Sequence, residues 1–221
     1  MAKEGSMDLH SFSRPGLAVD VILFTIKDGD LKAGLIKREG EPYFGKYALP
    51  GRFVRYDEKI ETTARMALEK KANINHKDVF LEQLYTFGDN LERDTRIRTV
   101  TIVYYGLVDS NKIDFQKDNK MTWHSVYKLP KLAFDHKNII DYAIHRLRKK
   151  VRESDFAFQL MHKEFTLSEL QQAYETILNE ELDKRNFRKK IMELHILKDL
   201  KKKKMEGAHR PAAIYSFTRS R

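Results

Sequence analysis

The stretch TLSELQQAYETILNEELDKRNFRKKIMELH, Thr166 to His195, holds two amphipathic segments separated by a short polar break. Thr166 and Glu169 are spaced as a capping box. The Thr166 hydroxyl can accept the Glu169 amide while the Glu169 carboxylate reaches back to the amide of Thr166. Leu167, Leu170, Ala173, Tyr174, Ile177 and Leu178 then follow the three-four spacing of a helix with one apolar face. Asn179 to Leu182 interrupts it. Asp183 is a good N-cap for a second helix over Lys184 to His195. The apolar side of that helix is Phe187, Ile191 and Leu194, and Lys184, Arg185, Arg188 and Lys189 fall on other faces.

Beyond this pair, Ile196 to Leu200 and Ala213 to Phe217 read as strands flanking a basic loop, KKKKMEGAHRP. Helix, turn, basic helix and hairpin with a basic tip is the order of a winged helix-turn-helix. Charge agrees. The chain of 221 residues has a net charge of +10, and residues 184–221 carry thirteen basic and three acidic side chains, which accounts for the whole excess. A basic end on a neutral body points to a polyanionic partner.

Upstream, the pattern is that of a separate α+β domain. Leu17 to Ile26 is rich in β-branched and large apolar residues, stops at Asp28-Gly29-Asp30, and resumes as Leu31 to Lys37, the signature of a hairpin. Gly40 to Val54 is a loop with short strands, broken by Gly and Pro. Glu58 to Ala72 has helical spacing, Val79 to Phe87 and Thr99 to Val108 read as strands, Trp123 to Tyr127 as a shorter one, and Asn138 to Val151 as an amphipathic helix. Strands come first, with two helices among them and no strict βαβ alternation. Apolar residues make up 41% of the chain, with 13 Phe and 10 Tyr, so a core can be buried. There is no Cys, which excludes disulfides, thiolate zinc sites and a cysteine nucleophile and fits a cytoplasmic protein. No run of eighteen apolar residues exists, so no membrane partner is expected. The expected organisation is a tail over 1–12, disordered or left over from expression, an α+β domain over 13–154, and a DNA-binding domain over 155–221.

At Gly51 the sequence resembles a Nudix box, which runs Gly, five residues, Glu, seven residues, then Arg-Glu-apolar-x-Glu-Glu-x-Gly-apolar. Gly51 matches the first Gly, Asp57 stands for the first Glu, Arg65 matches the Arg, and Glu69 one helical acid. Met66 and Lys70 replace the other two helical acids, Ala72 the second Gly, and ALPGR, Ala48 to Arg52, stands where the family has Leu-Pro-Gly-Gly. Nudix enzymes split diphosphates with magnesium, which requires oxygen ligands. Met66 offers none, and Lys70 places a cation where the metal should sit. The fold is therefore expected to be retained without catalytic residues, metal or cofactor. Arg38, Arg52, Arg55, Arg93 and Arg96 are available for phosphates, since a guanidinium makes two-pronged contacts. Phe53 and Phe134 can stack on a base. The expected ligand set is Arg38, Arg52, Phe53, Asp57, Glu69, Arg93, Arg96 and Phe134.

The resemblance extends through LEQLYTFGDNLERDTR (Leu81 to Arg96), LPKLAFDH (Leu129 to His136), FTLSELQQAYE (Phe165 to Glu175) and DKRNFRKK (Asp183 to Lys190) to the Nudix-related transcriptional regulators. It implies a Nudix-like α/β/α sandwich with a mixed sheet followed by a winged helix-turn-helix. It implies a homodimer on a double-stranded DNA operator and a small effector, ADP-ribose, a related nucleotide or a sugar such as arabinose. It also implies regulation of NAD synthesis, as in some members, which release DNA on binding ADP-ribose, with this chain expected to act as a repressor. On the second helix Lys184, Arg185, Asn186, Arg188 and Lys189 are expected to meet phosphates and base edges, with Lys201, Lys202, Lys203, Lys204, His209 and Arg210 as the wing. Two alternatives stay open on the residues alone: an active Nudix hydrolase of ADP-ribose-like nucleoside diphosphates, and an RNA-binding or scaffold protein using the basic end without sequence selectivity.

Overall fold

In the computed structural model, residues 13–72, 74, 79–113, 115, 120–153, 160–205 and 211–218 are described. The expected tail, and His209 and Arg210, lie outside them. The first sheet is built on β1 (Gly16–Lys27), which turns through Asp28 and Gly29, both at positive φ, into β2 (Asp30–Lys37). Two consecutive positive φ values are what a two-residue hairpin loop requires, and Asp-Gly supplies them cheaply. β3 (Tyr47–Ala48) pairs with β2, and β4 (Gly51–Phe53) with the start of β1. β5 (Phe80–Phe87) runs antiparallel to β6 (Thr99–Leu107), which lies parallel to β1. β7 (Met121–Ser125) pairs with β2, giving a mixed seven-stranded sheet.

β1 is apolar on both faces over Val21–Phe24 because both are covered. Val19, Val21 and Leu23 pack with Ala64, Ala67 and Leu68 around α1 (Ile60–Ala67). Ile22 and Phe24 pack with Ile139, Ile140, Ala143 and Leu147 of α2 (His136–Glu153). Asp20 has the parity of the second set, so an acid is driven under α2.

The C-terminal part consists of β8 (Phe165–Thr166), α3 (Leu167–Leu178), α4 (Lys184–Glu193), β9 (Leu197–Lys204) and β10 (Ala212–Phe217), the strands ordered β8-β10-β9. Both caps form. Thr166 Oγ1 accepts Glu169 N–H at 3.1 Å, the Glu169 carboxylate accepts Thr166 N–H at 2.7 Å, and Asp183 accepts Asn186 N–H at 2.8 Å. One apolar core runs unbroken from the first sheet through α2 to Leu170, Tyr174, Ile177, Phe187 and Ile191. Polar contacts reinforce it: Tyr127 Oη donates to Thr176 O at 2.7 Å, Arg148 Nε to Ile177 O at 3.0 Å, and Arg152 pairs with Glu180 at 2.9 Å.

Four local expectations need correction. The helix over 58–72 is shorter: α1 stops at Ala67 and Leu68–Ala72 form a π-turn. An i→i+5 turn rotates successive side chains differently from an α-turn. Glu69 and Lys70 therefore lose the α spacing from Met66, and both are exposed. The strand expected over 123–127 lies two residues earlier, because the turn after Ser125 ends it. The run Lys201 to Lys204, read as loop, is the end of strand β9. Lysines suit an exposed edge ribbon, whose pairing is through the backbone. Leu194, read as core, is 45% exposed at the end of α4, while Phe187 and Ile191 are buried.

Candidate functional site

A cavity of about 290 Å³ opens at the end of the sheet where β1 meets β4. Its walls include Asp20, Arg38, Arg52, Phe53, Arg93, Asp94, Arg96, Phe134 and His136. β4 is held against β1 by the pairing of Gly51 with Asp20. A Cβ on residue 51 would stand 2.1 Å from Asp20 Oδ1 and 2.8 Å from Val19 O, so only Gly allows the approach. Six of the eight expected ligand residues, Arg38, Arg52, Phe53, Arg93, Arg96 and Phe134, line this cavity. Asp57 and Glu69 do not: both are exposed, Asp57 in the loop before α1 and Glu69 on the π-turn. Arg55 is also exposed and outside the cavity.

The guanidinium groups differ in how they are committed. Arg93, with a side chain only 5% exposed, binds both oxygens of Asp135 at 2.9 and 3.0 Å and lies 3.5 Å from Asp20. Its burial disfavours the charged form, and the bonds to Asp135 and Asp20 more than reverse this. Arg93 is thus a structural tie more than a free phosphate donor. Arg96 makes a two-pronged contact with Asp94 at 2.7 and 2.9 Å, holding that carboxyl below its usual range. Arg38 donates to the carbonyls of Pro42 and Gly40 and stacks 4.7 Å over Phe134. It forms no ion pair among the described residues. Arg96 lies 5.6 Å from the same ring and 5.7 Å from Phe53, so two cations and two aromatic faces alternate along one wall. A second basic concavity, shared through Ile36, Arg38 and Arg96, adds Lys37, Lys70 and Lys120 outside the mouth.

Sequence reasoning missed Asp20, Asp94, Asp135 and His136. A lone acid inside the run LAVDVILF was the one available signal, because an ionisable group rarely sits in a buried strand without a partner. His136 is the first residue of α2 and is fully buried; its Nδ1 accepts Leu49 N–H at 2.9 Å, and Nε2 lies 3.8 Å from Asp20. Burial pushes its pKa below the ordinary value, with Asp20 and Asp135 opposing and Arg93 and Arg38 reinforcing. The folded protein then binds fewer protons than the unfolded chain below about pH 6.5, so stability falls as pH drops through that window and is level above it. Between pH 7 and 5 the slope contributed by this group is up to about 1.4 kcal/mol per pH unit. Urea unfolding of His136→Asn across the window should show a flatter profile than wild type, and an unchanged slope would remove His136 from the account.

In the C-terminal part, Lys184, Arg185, Asn186, Arg188, Lys189 and Lys190 are all exposed on α4, and none of the five cations is in an ion pair among the described residues. The β9 lysines are more committed: Lys201 pairs with Asp199, Lys202 with Glu164 at 2.7 Å, and Lys204 with Glu169 at 2.6 Å. Exposed pairs of this kind are worth at most about 1 kcal/mol and exchange readily for another anion. No helix among the described residues is long and apolar enough to cross a membrane.

Comparison with known proteins gives the family. Residues 157–217 match the NrtR DNA-binding winged helix domain. The chain is 33% identical over 212 residues to an ADPR-responsive transcriptional repressor of Acinetobacter baylyi, covering 93% of this chain and 83% of that protein. The crystal structure of Shewanella oneidensis NrtR complexed with a 27mer DNA matches with a TM-score of 0.77 at 32% identity, covering 91% of this chain and 93% of that one. The Nudix domain of the same Shewanella protein, complexed with ADP-ribose, matches 64% of this chain with a TM-score of 0.53 at 33% identity. With its mixed sheet between α1 and α2 and its C-terminal winged helix, the chain belongs to the NrtR family of transcriptional regulators.

Proposed function

We propose that this chain is a DNA-binding repressor in which residues 13–154 sense ADP-ribose or a related nucleoside diphosphate and residues 155–221 bind an operator. The observation that carries the reading is the position of α2. It begins at the cavity, where His136 and Asp135 meet Asp20 and Arg93, and its C-terminal half packs on α3 in the core shared with the winged helix. Its 18 residues span roughly 27 Å. A ligand that favours one placement of the α2 start shifts the DNA-binding part through a packed helix. It does so only as far as its affinity differs between the two placements. Two copies related by a dyad present two α4 helices about 34 Å apart, one turn of DNA. The dimer is part of the proposal. So is the absence of hydrolysis, since Met66 and the exposed Lys70 replace two of the helical acids that hold magnesium in the enzymes.

The test is fluorescence anisotropy with duplexes from upstream of the chain's own gene and neighbouring operons, set against scrambled duplexes, with ADP-ribose titrated in. Selective binding that ADP-ribose reverses is expected. Equal affinity for scrambled DNA would overturn the repressor reading and favour a non-selective nucleic-acid binder. Magnesium-dependent AMP release from ADP-ribose would restore the hydrolase reading.

A further inference from the structure

Magnesium is the ion that the Nudix fold implies, and the residues here do not fit it. It takes oxygen ligands in near-octahedral geometry at about 2.0–2.1 Å. The first helical ligand position holds the thioether of Met66, Asp57 and Glu69 are exposed and lie outside the cavity lining, and among the described residues no group of three His, Asp or Glu side chains could hold a metal ion. What does stand at that place is a guanidinium. Arg52 leaves β4 opposite Val19 and turns under α1 with its side chain 16% exposed. Its Nη1 donates to the Met66 sulfur at 3.1 Å, and its Nη2 lies 3.2 Å from Glu58 Oε1. Glu58 is fixed in turn by Thr63 Oγ1, which donates to its other oxygen at 2.8 Å. Arg52 also lines the cavity beside Arg38 and Arg96.

We infer that Arg52 is a resident counter-cation for the ligand's diphosphate, held where the enzymes of this fold hold a divalent ion, so that binding is metal-independent. A guanidinium has five N–H donors in a rigid fork. Glu58 and Met66 engage it from one side. The sulfur is a weak acceptor, so a phosphate oxygen can take its place at little cost. The fork suits a two-pronged contact with a diphosphate, and its charge needs no added ion. Met66 and Arg52 then form one matched pair, since a carboxylate at 66 would add a second acid to Glu58 on the same guanidinium, and a Gly at 52 would leave one cation fewer on the cavity wall.

This inference rests on the nucleoside diphosphate reading above, and its test separates the two. Binding of ADP-ribose and of ADP to the full chain is measured by calorimetry in excess EDTA and in excess magnesium, for wild type, Arg52→Met and Arg52→Lys. Thermal melts confirm that each variant is folded, and adenosine serves as a ligand without phosphate. The expected result is equal affinity in both buffers for wild type and a loss of about ten- to hundredfold for Arg52→Met. Arg52→Lys should fall between, and adenosine should be indifferent to either change. Wild-type binding that tightens tenfold or more with magnesium, or Arg52→Met that binds as tightly as wild type, overturns the inference and leaves the ligand reading intact. If ADP alone binds, without metal and through Arg52, the ADP-ribose reading falls and the inference stands. If neither nucleotide binds in either buffer, both fall.

Discussion

Arg93→Met is expected to destabilise the folded chain by about 3–5 kcal/mol, the loss typical of breaking a buried ion pair from one side. The change removes the shared partner of Asp135 and Asp20, whose side chains are only 12% and 11% exposed. Two carboxylates then remain in a site with little water, close to one another and to a His136 that burial keeps neutral. The methionine fills much of the lost volume, so the penalty reports charge and not a cavity. Urea unfolding at pH 7 should show a lower midpoint with an unchanged slope. A loss of under about 1 kcal/mol would mean that Arg93 is a replaceable surface cation, and α2 would then have no firm tie to the cavity.

That network also marks the limit of what the sequence discloses. The hairpin β1–β2, the capping box and the N-cap at Asp183 were legible because each is local: the residues that form the contact lie within a few positions of one another. So was the regulator architecture, from the order of basic helix and hairpin. Arg93 and Asp135 are 42 positions apart, and no periodicity reveals that they meet. Arg52 was visible as a departure from Leu-Pro-Gly-Gly, but its contact with Met66 depends on β4 crossing under α1. The π-turn at Leu68–Ala72 was hidden for a different reason: EKKA has good α-helix propensity, and nothing in its spacing marks the wider turn. The lysines of β9 misled because charge runs are usually solvated loops, whereas an edge strand needs only its backbone.

Arg185→Ala with Arg188→Ala is expected to weaken operator binding by about 2–6 kcal/mol while leaving stability within about 0.5 kcal/mol of wild type. Both side chains are exposed and unpaired among the described residues, so the fold depends on neither. What holds α4 in place is Phe187 and Ile191 beneath it and the Asp183 cap at its start, which turns the N-terminal residues outward. An arginine that reads a guanine edge contributes about 1–3 kcal/mol and discriminates among sequences. An arginine on phosphate weakens all sequences alike and lowers the salt slope by about one. Titrating cognate and scrambled duplexes at several salt concentrations separates these roles. A loss of selectivity with little change in slope assigns the pair to base edges; a slope reduced by about two assigns both to phosphates. Lys202→Ala on β9 is the contrast, because Lys202 already has Glu164 as a partner and exchanges one anion for another on binding. Its removal should be felt weakly and equally on both duplexes. If the double variant keeps wild-type affinity and selectivity, α4 does not enter the groove, and the reading element must lie elsewhere on the basic end.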